Sequence, residues 1–255
     1  MTSQRTAYAG FTDINTGETS MLLQLIALGA LLLWAYLSCN SKCFLDDRAP
    51  IAGTFPPMAP GEEGERRISG DLHRHLARLC GDDWLVFDGL ILIHAPGSAF
   101  PTAEIDHLVI TPFGIFVIET KHWAGAVTRG ETDDKLMLAA IDGQRLARTS
   151  PMKQNAAKVR FLRGLLPPRL WNVEGLGVFS HEAGTVDPTL PAALLERGEL
   201  YRHLRTCQKR FAHTGTGRLP VRTVADEILR HADMRPQALV EHRQRIQEGR
   251  ARGQG

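Results

Sequence analysis

The sequence predicts an α/β protein with a mixed central sheet flanked by helices, and three observations lead to this class. Residues 104–121 form two apolar runs, rich in β-branched and aromatic residues, that are joined by a Pro-Phe-Gly turn. Segments 61–80 and 150–166 space their apolar residues as amphipathic helices do. An apolar strand at residues 176–179 follows the second helix. This order of elements favours a sheet with helices packed on it.

The first 60 residues divide into three predicted segments. Residues 1–20 form a polar tail, residues 21–38 are apolar, and residues 39–60 form a linker with four prolines. No charged residue occurs between Thr19 and Ser41, and this length suits a helix that crosses a membrane. We therefore expect a single transmembrane helix at residues 21–38.

Other interpretations of this apolar segment stay open. A cleaved signal peptide fits less well, because the stretch before it is long and not basic. Tyr36-Leu37-Ser38-Cys39 resembles a bacterial lipoprotein cleavage site, with Tyr36 where leucine is usual. A buried core helix would be unusually apolar on all sides. Lysine and arginine are denser after the segment than before it, so the positive-inside rule places the C-terminal part of an anchored chain in the cytoplasm.

The first helix and the first strand follow from local signals. Apolar residues recur at helical spacing from Ile68 to Leu79, and Cys80-Gly81 ends the helix. Residues 84–93 predict one strand, or two short strands broken at Asp88-Gly89.

Further elements are predicted between the hairpin and the end of the domain. Residues 126–128 begin a strand, residues 136–138 form an edge strand, and Asp142-Gly143 makes a tight turn. Ser150 is the expected N-cap of the second helix and Pro151 its first residue. The apolar strand that follows this helix is then the last strand.

We place the boundary of the core domain at residues 61–185 and assign residues 186–255 to a basic, partly helical C-terminal region. Residues 201–255 carry twelve Lys and Arg against five Asp and Glu. Apolar spacing around Val224 indicates one amphipathic helix, and the polar stretch from Glu241 is expected to fray. Such a region is either a solvated surface or an electrostatic footprint for nucleic acid or anionic lipid.

The composition is that of a globular protein and indicates no partner by itself. Hydrophobic residues make up 43% and charged residues 23% of the chain. The net charge of +2 is too small to indicate a binding partner. The four cysteines are scattered without the paired spacing of a zinc site, so free thiols in a reducing compartment are expected.

The hairpin brings charged residues together at its open end. A strand period of two puts Glu119 and Lys121 on one face and Thr120 on the other. A plain fold of the hairpin places Asp106 opposite Thr120. A one-residue bulge at Gly114 would instead bring Asp106 level with one of the two charged residues. We expect that bulge, or an equivalent shift, because it gathers three charges at the rim of the apolar sheet.

These side chains suit the hydrolysis of a phosphodiester. Two carboxylates and a carbonyl oxygen suit Mg²⁺, with Mn²⁺ as an alternative, and Asp106, Glu119 and the carbonyl of Thr120 supply such a set. The ion would polarise the phosphate and activate water. Lys121 can orient or deprotonate that water, or stabilise the charge that develops on the phosphate.

At these residues the sequence resembles the PD-(D/E)xK nuclease superfamily. Asp106, followed after twelve residues by Glu119-Thr120-Lys121, has the D…ExK form, in which the two acids bind metal. The wider match is similar to the nuclease-related domain, NERD, and is carried by Gly61–Glu65, Glu104–His107, Gly114–Lys121 and the helix around Gln154. It covers roughly residues 61–180. The resemblance implies a restriction-endonuclease-like core, metal-dependent nuclease activity and nucleic acid as the partner.

The resemblance also implies roles for particular residues. Glu65 matches the helical glutamate that completes the acidic cluster, Lys121 the catalytic lysine, and Gln154 a polar position on the following helix. Two positions depart from the family pattern. Glu104 stands where Gln or a similar residue is common, and Ser150-Pro151 replaces Asn-Pro. These departures bear on substrate contacts more than on the catalytic core.

The predicted function is a membrane-anchored, Mg²⁺-dependent nuclease that hydrolyses DNA, or alternatively RNA. A second hypothesis is a catalytically silent nucleic-acid-binding or signalling module with a nuclease fold. A third is an ion-paired strand end in an unrelated α/β domain. His94, His107 and His122 flank the site, but none has a Ser or Cys partner at a recognisable spacing, so we interpret them as satisfied or exposed.

Overall fold

The computed structural model describes residues 60–167, 172–213 and 217–252. The predicted tail, the predicted transmembrane segment and nearly all of the linker lie outside these ranges. Within the described part of the chain, no helix combines the length and the apolar character that crossing a membrane requires. The transmembrane helix at residues 21–38 therefore stays a prediction.

The described residues contain five α-helices and nine β-strands. The helices are α1 (Pro60–Cys80), α2 (Pro151–Leu165), α3 (Leu200–His213), α4 (Val221–Leu229) and α5 (Ala238–Arg252). The strands are β1 (Leu85–Ile93), β2 (Thr102–Thr111), β3 (Gly114–Lys121), β4 (Gly125–Arg129), β5 (Lys135–Ala140), β6 (Arg145–Thr149), β7 (Val173–Phe179), β8 (Gly184–Val186) and β9 (Leu194–Glu196).

The central sheet is mixed, with strand order β1-β2-β3-β7-β9. The first three strands pair antiparallel, whereas β7 runs parallel to both β3 and β9. Helices pack on this sheet, so the predicted α/β class is confirmed. β1 is one continuous strand, with Gly89 at φ 65° in its middle.

A second sheet, of order β6-β5-β4-β8, is formed mainly by the segment between β3 and α2. The prediction of an edge strand at residues 136–138 is wrong, because β5 lies between β4 and β6. The predicted tight turn is confirmed: Gly143 has φ 86° and its N–H donates to the carbonyl of Ala140.

The strand at Val173–Phe179 is not the last one. β8 and β9 follow it, and each joins one of the two sheets. The described residues of the C-terminal region form three α-helices where one was predicted, and the stretch from Glu241 to Arg252 belongs to helix α5. Fraying was expected because this stretch is polar, but α5 is held by side-chain contacts to β2 that no local pattern indicates.

Each face of the central sheet is covered by two helices. On one face α1 and α3 pack against β3 and β7, through Ile68, Leu72, Leu76, Leu200, Leu204, Phe116, Ile118 and Leu176. On the other face α2 and α4 pack against β2 and β3, through Val159, Leu162, Val224, Ile228, Leu108, Ile115 and Val117. Because alternate residues of a strand share a face, Glu119 and Lys121 continue the α2 face.

Helix α2 is fixed at its start as the sequence predicts. Ser150 has extended backbone angles, and its hydroxyl accepts the N–H of Met152 at 3.2 Å. Pro151 is the first helical residue. The buried amide of Asn155 donates to the carbonyls of Val117 and Leu176, both at 2.9 Å, so the helix is tied to β3 and β7.

The hairpin brings Asp106 next to Glu119, as expected, but it does so without the predicted bulge. Thr111 pairs with Gly114 across a two-residue turn, and the register continues to His107 opposite Ile118. Gly114 is an ordinary strand residue without positive φ, so the predicted bulge is wrong. Continuing the same register by one residue places Asp106 level with Glu119. The shorter turn supplies the offset that we assigned to a bulge.

Gly177 of β7 allows the start of α2 to approach the sheet. A Cβ there would lie 2.6 Å from Pro151 Cβ and 2.7 Å from Leu194 Cδ2.

We expect Gly177→Ala to lower the free energy of unfolding by about 1–3 kcal/mol, because a tightly packed region must shift. Urea unfolding measures this change. Gly70→Ala on α1 is the control, since its Cβ would meet no atom within 4 Å. Equal stability of the two variants would contradict the prediction.

Candidate active site

The open end of the hairpin is where β2 and β3 separate. Their last paired residues are His107 and Ile118, and the next position of each strand carries an acid, Asp106 and Glu119. Asp106 Oδ2 accepts the N–H of Thr120 at 2.8 Å. Since the N–H and C=O of one strand residue point towards the same neighbouring strand, the carbonyl of Thr120 faces this gap as well.

Glu119 lies between two lysines. Lys121 Nζ donates to its Oε1 at 2.7 Å, and Lys158 Nζ donates to its Oε2 at 2.8 Å. Lys158, on α2, also donates to the backbone carbonyl of Glu104 at 3.0 Å. Glu119 and Lys158 are both buried. This one ammonium group therefore joins α2 to both β2 and β3.

The two neighbouring acids have pKa values displaced in opposite directions. Burial and the charge of Glu119 raise the pKa of Asp106, although the hydrogen bond from Thr120 opposes the shift. Burial also acts to raise the pKa of Glu119, but Lys158 and Lys121 outweigh it and hold that pKa below its ordinary value. Neighbouring carboxylates with diverging pKa values are typical of acid and base pairs in catalytic sites.

Glu65 extends the acidic cluster from α1. It is half-buried, and its pKa rises from 4.5 to about 7 because of burial first and then the charges of Asp106 and Glu104. The neighbouring Gly64 sets its position. A Cβ at Gly64 would lie 2.6 Å from Ser180 Oγ, so α1 approaches the loop after β7 more closely than a larger residue would allow.

A cleft of about 480 Å³ opens beside these groups. Asp106, Glu119 and Lys158 line it, together with the exposed side chain of Gln154. Strand β2 adds Thr102, Ala103 and Glu104 to the lining, and helix α5 adds His242, Arg243, Ile246 and Gln247. The C-terminal region is thus part of the site.

Helix α5 is attached to β2 by specific contacts. Arg243 donates to Glu104 Oε1 at 2.7 Å, and Arg245 donates to the hydroxyl of Thr102 at 2.8 Å. His242 Nδ1 lies 2.9 Å from the same hydroxyl. These contacts hold basic side chains at the edge of the cleft.

The structure brings the residues singled out in the sequence to one end of the sheet: Glu65, Asp106, Glu119, Thr120, Lys121 and Gln154. Sequence reasoning missed Lys158 and Arg243. Lys158 follows Gln154 by four residues, so the two share a helix face, and this spacing was a usable signal. Arg243 had no local signal, because its position depends on how α5 packs.

The three flanking histidines are either hydrogen-bonded within the fold or partly exposed, as the sequence predicts. His107 is buried, with Nδ1 2.7 Å from Asp88 Oδ1 and Nε2 3.1 Å from Thr120 Oγ1. It therefore ties together β1, β2 and β3 on the face opposite Glu119. His94 and His122 are partly exposed.

The donor set fits a divalent cation. The carboxylates of Glu65, Asp106 and Glu119 and the carbonyl of Thr120 are oxygen donors of the kind that Mg²⁺ prefers. Burial and neighbouring acids raise the pKa values of Glu65 and Asp106 although Arg243, Lys158 and Lys121 act against the shifts. A divalent cation would add positive charge beside these two acids. Glu119 could share in binding it by giving up part of its contact with the lysines.

Fold and site together define an α/β domain with a carboxylate and lysine centre at the rim of a mixed sheet. The family model of the nuclease-related domain matches residues 60–180, which include every element of this centre except α5. This part of the chain is a nuclease-related domain, within the general context of the PD-(D/E)xK superfamily. Searches of curated proteins and of solved structures each find no match.

The family gives the function in general terms. A nuclease-related domain indicates a nuclease-related function, contact with nucleic acid and a requirement for a divalent metal. The family does not specify which metal or which nucleic acid this domain uses.

We expect Glu65 to make the stability of the metal-free protein depend on pH. Its folded-state pKa of about 7 lies above the ordinary 4.5, so the folded state keeps a proton that the unfolded chain loses. The contribution of Glu65 to the free energy of unfolding therefore falls as the pH rises from 4.5 to about 7. Glu65→Gln should lack this fall.

Urea unfolding in EDTA, at a series of pH values across this range, measures the effect. The stability of the wild type relative to Glu65→Gln should decrease with increasing pH, and Mg²⁺ should restore it at the alkaline end. Parallel pH profiles for the two proteins would show that Glu65 is not perturbed.

Proposed function

We propose that the nuclease-related domain is a Mg²⁺-dependent nuclease that hydrolyses phosphodiester bonds of DNA. One observation carries the proposal: Asp106 and Glu119 lie side by side with opposite pKa shifts, next to Lys121, at a cleft in a nuclease-related domain. Glu65, Asp106, Glu119 and the carbonyl of Thr120 would hold the metal. When bound, the ion would polarise the phosphate and lower the pKa of the attacking water.

The other groups of the site have roles that follow from their positions. Lys121 is partly exposed beside Glu119, so its ammonium group can orient the attacking water and stabilise charge on the phosphate. Gln154 lines the cleft with a neutral amide that can donate hydrogen bonds to phosphate oxygens. Lys158 holds Glu119 in place from a position with 5% of its side chain exposed.

The basic C-terminal helix supports nucleic acid as the substrate. Arg243 lines the cleft, and its side chain is about half exposed, at 45%. Phosphate groups are bound mainly by such arginine and lysine side chains, and this contribution is independent of sequence. A strand lying along α5 would have its backbone next to Asp106 and Glu119.

A second candidate, the catalytically silent module, is favoured by Lys158. Its ammonium group already neutralises Glu119 from a buried position, 2.8 Å from Oε2. If that contact does not loosen, Glu119 cannot bind a metal ion. The domain would then bind nucleic acid without hydrolysing it.

Cleavage by the full chain, purified in detergent, distinguishes these functions. Supercoiled plasmid, linear duplex DNA, single-stranded DNA and RNA would each be incubated with Mg²⁺, Mn²⁺ or EDTA. We expect DNA cleavage with Mg²⁺, none in EDTA, and loss of cleavage in Asp106→Asn. Asp142→Asn, in the exposed β5–β6 turn, is the matched control. Binding of DNA and Mg²⁺ without product would favour the silent module, and the absence of both would exclude the two functions.

We also propose that residues 21–38 anchor the chain in a membrane by a single helix, with the nuclease-related domain in the cytoplasm. The support is the uncharged stretch from Thr19 to Ser41 and the denser positive charge after it. Cell fractionation of the full chain and of a chain without residues 1–40 tests the anchor. Equal amounts of both in the membrane fraction would exclude it.

A further inference from the structure

A second group of polar side chains lies on the opposite face of the central sheet from the nuclease centre. Glu174 of β7 shares a face with Leu176 and Val178, which pack against α1 and α3. His203 and Cys207 of α3 are four residues apart, so they lie one turn apart on one side of this helix. All three side chains meet between α3 and β7.

The three potential ligand atoms are close to one another. Cys207 Sγ lies 3.8 Å from one oxygen of Glu174, and His203 Nε2 lies 3.3 Å from the other. One ligand atom from each of the three residues can be chosen so that all lie within 4.8 Å. The distances therefore require only small side-chain movements to surround one ion.

The chemistry of this set fits zinc. Zn²⁺ binds thiolate, imidazole and carboxylate ligands with bonds of about 2.0–2.3 Å, which places neighbouring ligand atoms of a tetrahedral site about 3.3–3.8 Å apart. The two distances to Glu174 are of this size, but each is to a different oxygen, so the carboxylate must turn for one oxygen to serve as the ligand. Calcium and magnesium prefer oxygen ligands and would not use a thiolate.

The surroundings keep these ligands available. His203 Nε2 is buried and makes no hydrogen bond of normal geometry, and Cys207 is 4% exposed. The Arg210 guanidinium donates to Cys207 Sγ at 3.2 Å, so the sulfur lies next to a positively charged group.

One side of the cluster is accessible. His203 borders a cleft of about 420 Å³ between α3 and the segment from Val186 to Glu196. A fourth coordination position could be filled from this cleft by water. Glu174 pairs with Phe116 near the start of β3, whereas Glu119 lies near the end of that strand. The cluster is therefore separate from the nuclease centre.

We propose that Glu174, His203 and Cys207 form a zinc site with three protein ligands and one position open to water. Any proton held by the ligand nitrogen of His203 or by the sulfur of Cys207 would be displaced on binding, because zinc bonds to the deprotonated forms of both. The ion would tie α3 to β7 across the edge of the hydrophobic core. The proposal does not depend on the nuclease activity.

The test uses the full chain in detergent, with Cys39, Cys43 and Cys80 changed to serine so that Cys207 is the single cysteine. Zn²⁺ would be titrated in competition with a coloured chelator, and Co²⁺ would be added separately. We expect one equivalent of Zn²⁺ to bind, and Co²⁺ to give a thiolate-to-metal absorption band. Lowering the pH should weaken zinc binding, because protons compete with the metal for His203 and Cys207.

Three variants decide the result. Cys207→Ser should remove the cobalt band, and His203→Ala should weaken zinc binding at least about tenfold. Circular dichroism in EDTA would show that both variants are folded. Asp106→Asn, at the nuclease centre, should leave the cobalt band unchanged. Because the acids of the nuclease centre can also bind Zn²⁺, the thiolate band is the decisive readout, and its absence in the single-cysteine protein or its persistence in Cys207→Ser would overturn the proposal.

Discussion

Replacing Lys121 with alanine is expected to lower the rate of DNA cleavage by about 10²–10⁴-fold, the usual contribution of a positioned group that transfers protons or stabilises charge. Lys121 Nζ lies 2.7 Å from Glu119, and its side chain is 18% exposed, so it contacts the acid and keeps partial access to solvent. The fold should survive the change, because Lys158 still neutralises Glu119. Initial rates of plasmid cleavage at saturating Mg²⁺ measure the effect.

The matched control is Lys153→Ala on α2. Lys153 is 54% exposed and pairs with Asp134, away from the cleft. This variant should cleave at the wild-type rate. If Lys121→Ala cleaves as fast as Lys153→Ala, the activity comes from another site or from a contaminant, and the proposed role of Lys121 is wrong.

Replacing Lys158 with methionine is expected to lower the free energy of unfolding by about 3–5 kcal/mol, because it leaves a buried carboxylate with less compensation. Both partners are nearly inaccessible, with 5% of the Lys158 side chain and 9% of the Glu119 side chain exposed. Lys121 remains as a partner, which places the expected loss at the lower end of this range. Urea unfolding of the full chain, without metal, measures it.

The double variant Glu119→Gln/Lys158→Met tests the cause. Removing the carboxylate should recover much of the lost stability, since the two residues interact directly and their effects are not additive. Lys158→Met alone should also bind Mg²⁺ more tightly than the wild type, because the metal then replaces the lost ammonium group. Unchanged Mg²⁺ affinity would mean that Glu119 does not bind the metal.

The sequence predicted the parts of the fold that depend on local pattern. The hairpin strands, helix α1, the Ser150 N-cap and the turn at Gly143 all follow from side-chain alternation, helical spacing or turn chemistry. The D…ExK spacing and the segments around it also identified the nuclease-related domain. These features are local, so neighbouring residues are sufficient to specify them.

The register of the hairpin could not be read in the same way. A two-residue turn and a plain turn about Phe113 are both compatible with Pro112-Phe113-Gly114, and the first places Asp106 level with Glu119 whereas the second places it opposite Thr120. The turn in the structure is stabilised by Thr111, whose hydroxyl accepts the N–H of Phe113 and donates to the carbonyl of Gly114. It is also contacted by Leu219, whose N–H donates to the carbonyl of Pro112.

By itself, then, the sequence determined the α/β class, the nuclease-related domain and the residue types of its centre. Only the tertiary structure decided that Lys158 neutralises Glu119, that α5 borders the cleft and that Glu174 meets His203 and Cys207. Each of these contacts joins residues that are far apart in the chain. The contact between Glu104 and Arg243, which holds α5 against β2, is an example. Their formation depends on how helices pack on the two faces of the sheet, and no local pattern of residues specifies that packing.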